Sequence, residues 1–151
     1  MENDLQRLGK RLVGTWATEA THPALPSAFI RGSSEVGWLD GERFLIYRST
    51  YDHPDIPNAT SILGDTDGLH MHYFDSRGVH RIYGVTVTDD GWEMGMSRDA
   101  SAVSFAAGHA PFSQRMTFTF EDGDRTISGR GELSHDDVNW EEDLQITYRR
   151  T

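Results

Sequence analysis

Residues 69–98 read LHMHYFDSRGVHRIYGVTVTDDGWEMGMSR, and the alternation within them decides the fold. Side chains two apart on a strand share a face. Folding 79–88 back on 92–98 through Asp90-Gly91 puts Tyr83, Val85, Val87, Trp92, Met94 and Met96 on one apolar face. A reversal at Ser76-Arg77-Gly78 adds Leu69, Met71, Tyr73 and Arg81, and Arg98 shares the parity of Met94 and Met96. The opposite face carries His72, Phe74, His80 and Ile82. If the register slips by one residue, His72 and His80 turn inward instead.

The same signature extends in both directions. Short β-rich runs cover 15–19, 30–39, 43–51, 61–64, 112–121, 126–134 and 140–149 as well, about ten strands in all. Only the N-terminus is helical in pattern: Asn3 caps a segment whose Leu5, Leu8 and Leu12 recur at helical spacing before Gly14. Four connections contain Asp-Gly, at 40–41, 67–68, 90–91 and 122–123, a dipeptide suited to tight hairpins with positive φ. In an up-and-down chain these turns close one end, and the irregular segments 21–29, 52–60, 76–78, 99–111 and 135–139 form the other. The expectation is one all-β domain over residues 1–151, an antiparallel up-and-down barrel with the helix closing its floor and a mouth at the long-loop end.

Composition narrows the partners. A formal net charge of −10 opposes binding to phosphate backbones, so no nucleic-acid partner is expected. No apolar run is long enough for a membrane span, and the acidic start lacks the order of an export signal, which gives a cytoplasmic expectation. The absence of cysteine removes disulfides, thiolate nucleophiles and Cys-ligated zinc. Lys10 is the sole lysine among 14 basic residues, so a positive charge inside the fold is a guanidinium, suited to planar carboxylate or phosphate recognition.

Gly14-Thr15-Trp16 at the first strand and Tyr148-Arg149-Arg150 at the end of the last resemble the calycin pattern. In lipocalins and their relatives a Gly-x-Trp packs beneath a basic residue from the last strand. That resemblance implies a structural floor of Trp16 and Arg149. The stretches 12–16, 72–78 and 140–148 also resemble a bacterial domain-of-unknown-function family with a lipocalin-like ten-strand barrel and no assigned reaction. Nitrobindin-type haem barrels are similar in shape and begin alike. Here Ala17-Thr18-Glu19 replaces the second glycine of their motif, and residues 140–149 lack their haem-ligating histidine. No cofactor is expected, and haem ranks below the readings that need none.

The candidate ligand-binding residues are Tyr73, Arg81, Tyr83, Met94, Met96, Arg98, Gln114, Met116, Phe118 and Tyr148. Tyrosine hydroxyls donate or accept, and Arg81 or Arg98 can grip an anion through paired hydrogen bonds. The competing view makes the tyrosines ordinary core and pairs the arginines with carboxylates such as Glu142, placed inward with Leu144, Ile146 and Tyr148. The rim and lid candidates are His53, Phe105 and His109, with 101–111 as the covering segment. No compact histidine spacing marks a metal site, so none is expected. Tyr73, Tyr83, His72 and His80 are the candidates for proton transfer.

Four functions remain open. The first is binding of a small apolar or amphipathic molecule in the barrel. The second is a cofactor-independent isomerase or cyclase using Tyr, His or Arg at the mouth. The third is haem binding. The fourth is a filled barrel acting through its outer surface as a homodimer, with His72, Phe74, His80 and Ile82 in the patch.

Overall fold

The computed structural model describes residues 2–100 and 103–151, so Ser101 and Ala102 of the expected lid segment, and Met1, lie outside the described residues. Helix α1 (Asp4–Leu12) is followed by ten strands: β1 (Gly14–His22), β2 (Leu25–Trp38), β3 (Phe44–Tyr51), β4 (Ala59–Asp65), β5 (Leu69–Asp75), β6 (His80–Val87), β7 (Gly91–Met96), β8 (Ser113–Glu121), β9 (Thr126–Ser134) and β10 (Glu141–Arg150). Each pairs antiparallel with its neighbour in sequence, and β1 pairs with β10, closing the barrel. Closure gives every strand two partners and leaves no edge. Among the described residues no helix is long and apolar enough to cross a membrane.

Register fixes which side chains enter the barrel. Met71 pairs with Tyr83, Tyr73 with Arg81, and Val85 with Met94, as the alternation of residues 69–98 predicts, and Met96 pairs with Gln114 of β8. His72 pairs with Ile82 and Phe74 with His80 on the outer face. Phe74 and His80 stack there at 5.0 Å.

The floor forms as expected in outline, with two corrections. Asn3 caps α1 in a capping box with Gln6, and Leu5, Leu8 and Leu12 are buried against the barrel. Arg11 ties the helix to the β8–β9 turn through Asp124. Trp16 is 1% exposed and donates its indole N–H to the Leu12 carbonyl. The guanidinium over its ring, at 4.1 Å, belongs to Arg150, not to Arg149. Tyr148 faces inward, so its neighbour Arg149 points out to Glu19 and Arg150 returns to the Trp16 side. Gly14, at φ 137°, leaves the space that Arg150 uses, since a Cβ there would lie 2.7 Å from its Nη1.

The second correction concerns the Asp-Gly turns. Gly41, Asp67, Gly68, Asp122 and Gly123 have positive φ, as tight turns require, but Asp90 and Gly91 do not. Gly91 serves packing instead: a Cβ would fall 1.9 Å from the Phe118 carbonyl oxygen. At the mouth, 21–29 is not a loop. β1 and β2 continue through it and turn at Pro23-Ala24, so the rim consists of that hairpin and the other four irregular segments.

Candidate functional site

Arg81 lies in the upper half of the barrel and is 7% exposed. Its position on β6 follows from alternation, with buried Val79 and Tyr83 on the same face. Among the described residues it joins no salt bridge, and its Nε is buried without a hydrogen-bond partner. Three rings surround the guanidinium instead: Phe112 at 5.0 Å, and Tyr73 and Phe105 each at 5.7 Å. Such contacts are worth roughly 0.5–2 kcal/mol each. Burial of an unpaired ion costs several kcal/mol even after relaxation. The aromatic box therefore offsets only part of the cost.

A hydrogen-bonded chain runs beside it. The Tyr83 hydroxyl donates to Gln114 Oε1 at 2.6 Å, and Gln114 Nε2 donates to Asp143 Oδ2 at 2.8 Å. Asp143 Oδ1 lies 2.8 Å from His22 Nε2. The Ala24 N–H donates to His22 Nδ1, so the Nε2 proton of His22 is the one that reaches Asp143. With Gln114 fixed in this sense, the Tyr83 proton is committed and its oxygen is left to accept from the neighbouring Arg81 guanidinium. Tyr73 is committed likewise, donating to Asp75 Oδ2 at 2.8 Å. Burial raises the pKa of both phenols, and the nearby Arg81 charge opposes that rise. Both hydroxyls stay protonated at neutral pH.

Met94, Met96, Met116 and Phe118 belong to the core cluster and lie on the inner face by register. Methionine adapts its shape to irregular apolar surfaces. Tyr148 is buried deeper, edge-on to Trp16 and Tyr47. Residues 103–112 pack over the rim end of β6: Phe105 and Phe112 pack together at 4.9 Å, and Ser104 clamps β6 by donating its backbone N–H to the His80 carbonyl at 2.8 Å. His135 fastens the same segment through the Pro111 carbonyl.

Several sequence candidates lie elsewhere. Arg98 sits past the end of β7, paired with Asp137 at 3.1 Å on the rim. It does not project inside, because the strand ends at Met96. His72 and His80 are on the outer wall, away from any group inside the barrel. His53 accepts the Asp55 N–H within the rim loop, and the side chain of His109 is exposed. Glu142 is exposed and Asp143 takes the inward place. The register jumps from Glu142↔Glu132 to Gln145↔Arg130, which sets two residues against Gly131 in a β-bulge and reverses parity. Asp143 is the member of the site that the sequence reading missed, while His22, one of the histidines expected at the rim, follows from extending the Trp16, Thr18, Ala20 alternation by one step.

Two surface concavities lie outside the barrel interior. One of about 640 Å³ is on the outer wall, around Gly84, Gly95, Arg115 and Arg130. The other, about 430 Å³, is in the rim loop around His53 and Arg77.

Among solved structures, the chain is similar to Rv2717c from M. tuberculosis, with a TM-score of 0.71 at 16% identity, covering 100% of this chain and 99% of that one. It also matches a redesigned β-barrel, mFAP1, bound to DFHBI, with a TM-score of 0.46 at 12% identity over 95% of this chain and 99% of that one. No protein-family model matches, and no curated protein matches. The first likeness shows the ten-stranded barrel fold and nothing finer.

Proposed function

We propose that the barrel binds a small amphipathic acid, its anionic head on Arg81 and its apolar body against Met94, Met96, Met116 and Phe118. The observation that carries this reading is a buried guanidinium with no carboxylate partner among the described residues and an orphaned Nε. A carboxylate satisfies it with paired, charge-assisted hydrogen bonds. The committed protons of Tyr73 and Tyr83 leave Arg81 as the group that selects for negative charge. The ligand enters at the loop end, which requires Phe105 and Phe112 to move aside.

Titration with a straight-chain alkanoate, followed by tryptophan fluorescence and calorimetry, tests the proposal. Saturable binding at one site that the corresponding alkanol does not show supports it. Equal binding of acid and alcohol, or none of either, overturns it.

A further inference from the structure

The ionisable groups on the inner wall are few. β6 supplies Arg81 and Tyr83, β5 Tyr73 and Asp75, β10 Asp143 and Tyr148, β3 Tyr47 and Tyr51, and β1 His22. No buried position of β2, β4, β7, β8 or β9 is ionisable. Asp75 is matched by Arg77 at 2.7 Å. Asp143 is 8% exposed and accepts from Gln114 and His22, at 2.8 Å each. His22 is neutral in this arrangement, because its Nδ1 accepts the Ala24 N–H at 3.0 Å. Among the described residues, Asp143 is thus an anion without a cation, as Arg81 is a cation without a carboxylate. Around the mouth, Asp137 is held by Arg98, Asp136 accepts the Val138 and Asn139 N–H groups, and Glu141 and Glu142 are exposed. The hairpin tip beside His22, residues 23–28, carries no charge.

Tyr83 and Gln114 join the two charges. The Tyr83 hydroxyl, beside the Arg81 guanidinium, donates to Gln114, and Gln114 donates to Asp143. Burial raises the pKa of that phenol, and upon this the Arg81 charge lowers it and the Asp143 charge raises it, so both charges reach one hydroxyl. A carboxylate seated on Arg81 therefore stands one phenol and one amide away from Asp143, about 10 Å by ordinary hydrogen-bond lengths. At that separation, and at an effective dielectric of about 20, repulsion between two negative charges weakens binding roughly tenfold. A proton on His22 removes that penalty. It adds at Nδ1, makes the imidazole a cation, and turns the existing Nε2–H bond to Asp143 into an ion pair. A protonated Nδ1 cannot accept, so the Ala24 N–H is released and the Pro23-Ala24 turn loses that tie. The His22 side chain is 29% exposed, which gives the proton a path from solvent.

We propose that His22 couples anion binding at Arg81 to proton uptake: the acid binds together with a proton on His22, so that lower pH fills the barrel and higher pH empties it. The inference rests on the Arg81 reading and adds the regulation of that site. The liganded state holds more protons than the free one, so affinity falls as pH rises through the imidazole range, ordinarily centred near 6.5, and levels off on either side.

Calorimetric titration with a straight-chain alkanoate, repeated at neutral pH in two buffers of different ionisation enthalpy, counts the protons taken up on binding. The wild type takes up a fraction of a proton per alkanoate, and its affinity drops roughly tenfold from the acid to the alkaline side of the imidazole range. His22→Gln, whose amide replaces the Nε2–H donor, takes up none, and so does Asp143→Asn, which removes the charge that His22 answers. Without any variant, NMR of the wild type at neutral pH shows the His22 ring turning cationic and the Ala24 amide losing its hydrogen bond as alkanoate is added. Saturable binding without proton uptake, or equal uptake in the wild type and His22→Gln, overturns the coupling and leaves the Arg81 reading standing. Failure of the alkanoate to bind at any pH overturns the Arg81 reading and the coupling with it.

Discussion

Replacing Arg81 with methionine removes a charge while nearly keeping length and volume. In the unliganded barrel the guanidinium lacks a carboxylate and is 7% exposed. Its loss relieves a desolvation cost of several kcal/mol and forfeits three ring contacts at 5.0–5.7 Å, worth together about 2 kcal/mol at such distances. The balance is a gain of about 1–3 kcal/mol, and each kcal/mol raises Tm by roughly 2–4 °C in a chain of this size. For a bound carboxylate the sign reverses. Loss of the charge-assisted pair costs about 3 kcal/mol, a weakening of roughly 150-fold. Urea unfolding of the unliganded protein and calorimetric titration with an alkanoate measure the two effects separately. Destabilisation of the unliganded variant by about 3–5 kcal/mol, the mark of a broken buried pair, together with unchanged alkanoate affinity, would refute the reasoning.

Three further outcomes follow from named contacts. Phe105→Ala opens the cover over Arg81 and removes a ring 5.7 Å from it, so stopped-flow mixing with alkanoate should show association and dissociation both faster. Arg150→Met loses the contact with Trp16 and the bonds to the Val13 and Arg11 carbonyls, and urea unfolding should give a loss of about 1–2 kcal/mol with alkanoate binding unchanged. Acid should weaken the fold through Asp124 and Asp75, both held below the ordinary 3.8: Asp124 by its Arg11 hydrogen bond, and Asp75 by Arg77 and Tyr73 against the opposing effect of burial. Carboxylates lowered in the folded state stabilise it fully above their unfolded pKa, and that contribution drains away as pH falls through the folded value. Unfolding midpoints should therefore be flat above about pH 5 and drop below it, with a shallower drop in Asp124→Asn.

How much of this was legible in the sequence depended on where alternation ran unbroken. Residues 69–98 hold strict period two, and the inner face read from them is the one observed, Arg81 and Tyr83 included. Both errors in parity occur where no local signal marks the position. At the C-terminus, Tyr148-Arg149-Arg150 offers two adjacent arginines, and which of them meets Trp16 depends on the inward placement of Tyr148. In β10 the bulge at Asp143 and Leu144 interrupts an acidic run, Glu141-Glu142-Asp143, in which any member fits the outer face equally well. The network from Tyr83 to His22 spans four strands, and sequence separation hides it, although Gln114 and Tyr83 were each readable as inward. Arg98 misled for a simpler reason: its parity was right, but its strand ends two residues earlier, at Met96.

Native mass spectrometry of the protein purified from its own host, wild type beside Arg81→Met, tests the central claim most directly. The account predicts that the wild type carries a bound small molecule released on activation as a carboxylic acid, and that the variant is empty. A wild type with no adduct, or the same adduct on both proteins, would contradict it.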